Sequence, residues 1–366
     1  MPYPSRMSSR AQVEEALHKI ATIDHAGYEL RSVLAVREAA LEDADAYDKA
    51  GHDLPLKGQP ILIKDNIEAL GLPATAGSLA LTDTPALSDS PLVARLKAAG
   101  AIIVGATNLS EWANIRSTQS TSGWSAVGGL TANPWKHAHS AGGSSSGSGA
   151  AVVADLVRMA VGSETDGSIT CPSSLNGCVG IKPTVGSIPR EQMIPISQSQ
   201  DSPGPMAQTV ADAALLLEVL TGQSGFVGAL GNHQGLRIGV VKNWMTSNDG
   251  TNALFDIAVE ALAKAGIAIS YVEIPAHDDQ VGEDEYEVLK HELVSDLGAY
   301  LTTRSGNGRT RLRLFFGDTN SKCPLTSERD LLTETVSFLK SKSSGVNEII
   351  SAHLMPVCPA RAINPA

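Results

Sequence analysis

Apolar positions recur along the chain at two spacings, and the alternation between them predicts a series of helices and strands. Ser8 or Ser9 caps a first helix in which Val13, Leu17 and Ile20 follow at intervals of three and four, and a second helical stretch runs around Val36 to Tyr47. Leu56 to Ile63 reads as a strand ending in Lys64-Asp65-Asn66-Ile67. Pro91 to Ala99 then reads as a helix closed by Gly100, and Ala101-Ile102-Ile103-Val104 as a short apolar strand. Strand, helix and strand in that order imply a parallel crossover. Gly147 to Ala154 followed by Val157 to Val161 repeats the grammar. Val210 to Leu220 is another helix, ended by Gly222, and Leu236 to Val241 another buried strand. Asn252 to Lys264, Gly266 and Ile267 to Ile274 supply a last helix, stop and strand. The expectation is an α/β fold with one mixed central sheet covered by helices on both faces. No internal repeat or clean linker interrupts the pattern, so residues 1–366 are expected to form a single domain. The acidic stretch from Asp278 to Glu287 reads as a solvated loop or helix start rather than a metal site.

Composition narrows the classes. With 28 Lys+Arg against 39 Asp+Glu the formal net charge is −11, which excludes nucleic-acid binding driven by bulk charge. A hydrophobic fraction of 42% provides for a core, while 34 glycines and an aromatic content of 4% suit tightly packed strands, helices and glycine-rich loops. Cys171, Cys178, Cys323 and Cys358 form no Cys-x-x-Cys pair, so neither a zinc site nor a dense disulfide framework is indicated. Reduced thiols in a cytoplasm are expected. Met1 to Arg6 lacks an apolar signal core, and no apolar run approaches the roughly 20 residues that span a bilayer.

Candidate chemistry begins with Gly142-Gly143-Ser144-Ser145-Ser146-Gly147-Ser148-Gly149, the most biased stretch of the chain. Gly/Ser composition alone marks a flexible linker, but this segment opens directly into Ala150-Ala151-Val152-Val153-Ala154, which points to a loop leading into a helix. A phosphate loop needs a lysine after the glycines, and Gly147-Ser148-Gly149 supplies none. Gly143 to Gly147 matches a nucleophile elbow only formally, because the upstream Pro134 to His139 is no strand. A Ser/Lys hydrolase is the third class. There a lysine must be neutral to act as base, and burial at the inner end of a strand disfavours its ammonium. Lys64 sits at such a strand end, although a lysine snorkelling to solvent or paired with Asp65 fits the same position. Gly162 to Pro172 then gathers small and polar residues around Ser168, as a turn or as a loop that aims successive amides at one point. His137 and His139 lack ligand spacing and read as surface or loop residues.

Together these segments resemble the amidase signature family of Ser-Ser-Lys hydrolases. The resemblance rests on Lys64-Asp65-Asn66, on Gly142 to Ser148, on the Ser168 loop 24 residues after Ser144, and on Gly177-Cys178-Val179-Gly180-Ile181-Lys182-Pro183-Thr184. Thr107 to Ala113 and Gln200 to Met206 extend it to roughly residues 10–300. It implies Ser168 as the acylated nucleophile, Ser144 as bridging serine after a cis peptide bond, and Lys64 as base. It also implies an oxyanion hole from the backbone amides of Thr165, Asp166, Gly167 and Ser168, with no metal or organic cofactor.

The loop Glu164 to Pro172, with Ser122 to Ala126 and Ile194 to Asp201, is similar to bacterial peptide amidases, which remove the C-terminal amide of peptides. An amidohydrolase acting on a peptide or small-molecule amide is therefore expected. One alternative is the A subunit of a tRNA-dependent amidotransferase, the only reading that brings nucleic acid near the chain; another is an inactive, shortened family member. The second arises because the resemblance lapses near residue 305. Residues 1–300 carry 19 Lys+Arg against 34 Asp+Glu, whereas residues 301–366 carry 9 against 5, and residues 305–366 are expected to be a divergent or truncated C-terminal segment. Neither the acyl group nor the oligomeric state is fixed by these residues, and no membrane partner is expected.

Overall fold

The computed structural model describes residues 7–304 except 118 and 275–278. Its elements run α1 (Ser9–Lys19), β1 (Val33–Val36), α2 (Ala40–Ala50), β2 (Pro60–Lys64), α3 (Pro91–Ala98), β3 (Ile102–Thr107), the short strands β4 (Trp124–Ser125) and β5 (Gly129–Leu130), then α4 (Ser146–Val153) and β6 (Met159–Glu164). They continue with α5 (Thr170–Asn176), β7 (Val179–Gly180), β8 (Ser202–Ala207), α6 (Val210–Thr221), β9 (Arg237–Val241), α7 (Asp249–Lys264), β10 (Ala268–Val272) and α8 (Asp279–Thr303). No helix among the described residues is long and apolar enough to cross a membrane.

These residues fall into two compact units, one of residues 7–224 together with 289–304 and one of residues 225–288. The first holds a six-stranded mixed sheet in the order β1-β3-β2-β6-β8-β7. β2 lies parallel to both β3 and β6, while β1, β8 and β7 join antiparallel. All five residues of β2 and all six of β3, β6 and β8 are buried, as strands covered on both faces must be. Val13, Ala16 and Ile20 of the first helical stretch pack with Ala40, Ala44, Leu62, Val104, Val152 and Ala160 in one cluster. The helix starts where the sequence places it, because the Ser8 hydroxyl accepts from the Ala11 amide.

Three elements differ from the sequence reading. The second helix begins at Ala40, and the residues before it form the edge strand β1. The buried Asp24 carboxylate pins that strand by accepting from the amides of Ser32 at 2.8 Å and Val33 at 3.1 Å. β8 contains Pro203 and Pro205, whose missing N–H groups hide a strand in any propensity count. It is held by a six-residue register with β6, from Met159↔Ala207 to Glu164↔Ser202. Finally, β9 and β10 pair parallel with each other in the second unit, with α7 between them, so the βαβ grammar is right but builds a separate two-stranded sheet. The acidic stretch read as loop or helix start contributes the opening turns of α8. Residues 305–366 lie outside the described residues.

Candidate active site

Three parallel strands end side by side, bringing Lys64 of β2, Thr107 of β3 and Ser163 of β6 to one edge of the sheet. Ligand sites of open α/β sheets gather at such carboxyl ends, where loops and unpaired backbone groups collect. Lys64 is fully buried. Its Nζ donates to Ser144 Oγ at 2.7 Å, to the Ser163 carbonyl at 3.0 Å and to Ser163 Oγ at 3.0 Å. Those three acceptors satisfy an ammonium, yet none of them is charged. Burial therefore pushes Lys64 down to about 7, against the fields of Asp201 and Glu164, which favour the charged form. The amine is poised between its two protonation states near neutrality.

The loop carrying Ser144 is built by close approach. The Gly143–Ser144 peptide bond is cis, and Gly142 has φ +68°. A Cβ on Gly143 would stand 2.2 Å from Ser110 Oγ, and one on Gly147 would stand 2.3 Å from the Ser32 carbonyl oxygen. Only glycine fits either place. The neighbouring serines brace the loop: Ser145 Oγ donates to the Ser163 carbonyl at 3.0 Å and accepts from its amide at 3.2 Å, and Ser148 Oγ pairs with Thr107 Oγ1 at 2.7 Å. Ser144 Oγ is thus the loop hydroxyl presented to the lysine.

Ser168 is brought to the same place through the backbone, since the Ser145 amide donates to the Ser168 carbonyl at 3.0 Å. Its loop is shaped by Glu164, whose Oε2 accepts from the amides of Ile169 at 2.6 Å and Thr170 at 2.8 Å and so turns the chain into α5. Gly167, with φ +73°, makes the turn. Among the described residues, the amides of Thr165, Asp166, Gly167 and Ser168 donate to no protein group. Such a run of free donors beside a hydroxyl is able to stabilise the oxyanion of a tetrahedral intermediate.

The amidase family model matches residues 11–340. The chain belongs to the amidase family. The match continues past residue 305, where the sequence reading lost the resemblance.

Among solved amidase-family structures, the native peptide amidase of Stenotrophomonas maltophilia is 37% identical with a TM-score of 0.75, over 94% of this chain and 71% of that one. Among curated relatives, the mandelamide hydrolase of Pseudomonas putida is 37% identical over 81% of this chain and 59% of its own length. The A subunit of the glutamyl-tRNA(Gln) amidotransferase of Salinispora tropica is 36% identical over 82% of this chain and 64% of its own length. The chain thus spans about three fifths of the curated amidase relatives it matches.

Lys64 and Ser144, predicted from sequence, are joined directly; Ser168 and the Thr165–Gly167 amides stand on the adjoining loop. His137 instead packs beside the Tyr28 ring, 5.1 Å between centroids. Cys171 is exposed on α5. A cavity of about 230 Å³ lined by Ile23, Tyr28, Leu30, Pro134, Trp135, Val153 and Ala154 shares no residue with the site. Sequence reasoning missed Ser163, the second partner of the lysine, and the shaping role of Glu164. Both are the last residues of β6, and only the pairing of β2 with β6 brings Ser163 within reach of Lys64.

Proposed function

We propose that this chain is an amidohydrolase that converts a carboxamide to a carboxylate and ammonia through an ester on Ser168. The observation that carries the reading is the buried Lys64 amine 2.7 Å from Ser144 Oγ, with no charged partner in contact. Neutral Lys64 takes the Ser144 proton as Ser144 takes that of Ser168, and Ser168 Oγ bonds to the amide carbonyl carbon. The carbonyl oxygen becomes an oxyanion facing the amides of Thr165 to Ser168. On collapse the C–N bond breaks, and the proton returns through Ser144 to the leaving nitrogen, which departs as ammonia. Water then attacks the ester, losing its proton along the same relay, and the carboxylate leaves as Ser168 is restored. No step calls on a metal or organic cofactor.

The C-terminal amide of a peptide is the proposed substrate, supported by the 37% identity to the Stenotrophomonas peptide amidase and by the resemblance of the Glu164–Pro172 loop to those of bacterial peptide amidases. The test is ammonia release from a peptide amide, a simple aliphatic amide and glutamine, alongside labelling by a serine-directed acylating probe. Preference for the peptide amide, with labelling lost in Ser168→Ala, is the expected result. Preference for glutamine with dependence on a partner protein would replace it with the amidotransferase reading, and absence of both turnover and labelling would refute catalysis.

A further inference from the structure

Among the buried carboxylates without a part in the proton relay, one reaches the oxyanion loop itself. Asp201 stands immediately before β8, is 4% exposed, and reaches two different loops. Its Oδ1 accepts from the Thr165 hydroxyl at 2.5 Å, and its Oδ2 accepts from the amides of Ile196 at 2.9 Å and Ser197 at 3.0 Å. The loop bearing those amides is clasped from outside by the second half of α8. Glu292 Oε2 accepts from the Ser197 hydroxyl at 2.5 Å and from the Ser199 amide and hydroxyl, each at 2.9 Å; Asp296 Oδ2 accepts from the Gln198 amide at 2.8 Å. On the other side, Lys182 Nζ donates to the Thr165 carbonyl at 2.9 Å. Thr165 is therefore held at its hydroxyl, and the Thr165–Asp166 peptide, which carries the Asp166 amide, is held at its carbonyl.

We propose that Asp201 is a positioning residue: by tying the Thr165 hydroxyl to the Ile196–Ser197 amides it fixes the first donor of the oxyanion loop, and it links α8 to that loop. The proposal rests on the acyl-transfer reading. A carboxylate accepts all three donors that converge on this side chain. An asparagine holds the same partners only with the Thr165 bond reversed, its NH₂ donating to the hydroxyl, and without the charge, whereas alanine makes neither link. Asp201 also acts on Lys64 through space. The charged groups facing Lys64 are Asp201 and Glu164, both favouring its ammonium, while Arg190 faces Asp201 and donates to its carbonyl at 3.3 Å. Removing the Asp201 charge must make Lys64 easier to deprotonate.

Asp201→Ala, which removes the tether, and Asp201→Asn, which removes the charge, are the tests, with wild type alongside. In Asp201→Ala, kcat for the amide substrate is expected to fall about 10²-fold, the size of a small misplacement at a reacting centre, with KM within about 3-fold. The acid limb of the pH profile of the remaining activity should move to lower pH. The Lys64 midpoint, followed by NMR of ¹³Cε-lysine protein and assigned with Lys64→Ala, should move the same way. A merely structural role lowers the folded fraction but leaves both midpoints in place. Unchanged midpoints in both variants, or kcat of Asp201→Ala within about 3-fold of wild type, overturn the proposal. If wild type releases no ammonia, the acyl-transfer reading fails by itself, and the NMR midpoint still decides whether Asp201 acts on Lys64.

Discussion

Lys64 and its neighbour Asp65 are both fully buried, and burial moves them in opposite senses. The amine is pushed down to about 7, while Asp65 is pushed up to about 6 by burial, opposed by the hydroxyl and amide of Thr75 that its carboxylate accepts. The amine consequence is kinetic and thermodynamic together. Turnover should rise as pH passes about 7, because the neutral amine is the proposed base. Lys64→Met should lose turnover at every pH in a rate assay; near-full activity in that variant ends the base assignment. The stability sign follows from proton counting. Between about 7 and the unfolded value of 10.5 the unfolded chain binds the extra proton, so the lysine contribution to stability is full above that window and is lost as pH falls through it. Lys64→Met should therefore gain Tm relative to wild type as pH falls from 10 to 7, a difference readable by calorimetry at a series of pH values. Asp65 runs the other way, its contribution being lost as pH rises from the ordinary carboxylate range through about 6.

Among elements, the strands and helices of the first unit were legible wherever hydrophobic period and stop signals agreed. Pro91 sets the start of α3 and Gly222 the end of α6, as the sequence indicates. β1 and β8 were not legible, because a four-residue edge strand has too few positions for a pattern and two prolines suppress the strand signal. Their places are set by partners distant in sequence. The Gly/Ser loop shows the reverse case, a composition visible at once whose meaning lies in its neighbours. Gly147 is at the start of α4, against the Ser32 carbonyl oxygen and the Asn108 backbone. Gly147→Ala should cost about 1–3 kcal/mol or more by overpacking against backbone that cannot yield. Gly51, with φ +63° and open space around it, offers the control: Gly51→Ala carries only the conformational strain, roughly 1–2 kcal/mol. Urea denaturation of the two variants measures the difference.

At the scale of the molecule, the second half of α8 closes the first unit over a long sequence distance. Leu297, Tyr300 and Leu301 pack with Ala76, Leu81 and Ile194, and Arg304 pairs with the buried Glu68 at 3.2 Å. Tyr300 donates to the same carboxylate oxygen at 2.6 Å. Arg304→Ala should cost about 3–5 kcal/mol in denaturant melts, since it leaves an unneutralised buried acid, whereas loss below about 1 kcal/mol would show the pair to be unimportant. Sequence alone determined the family and the α/β class and singled out Lys64, Ser144 and Ser168 as candidates, because each lies in a short motif whose residue types and order carry the chemistry. Helix caps and strand ends were readable in the same way, since they depend on neighbours a few positions away. The tertiary structure decided the rest. Ser163 meets Lys64 only because β2 and β6 lie in parallel register, and Asp201 meets Thr165 only because β8 returns antiparallel beside β6. The lysine midpoint near 7 is likewise a property of burial. Hydrogen bonds and desolvation act between atoms brought together by the fold, and no local pattern in a chain encodes which distant segments will meet.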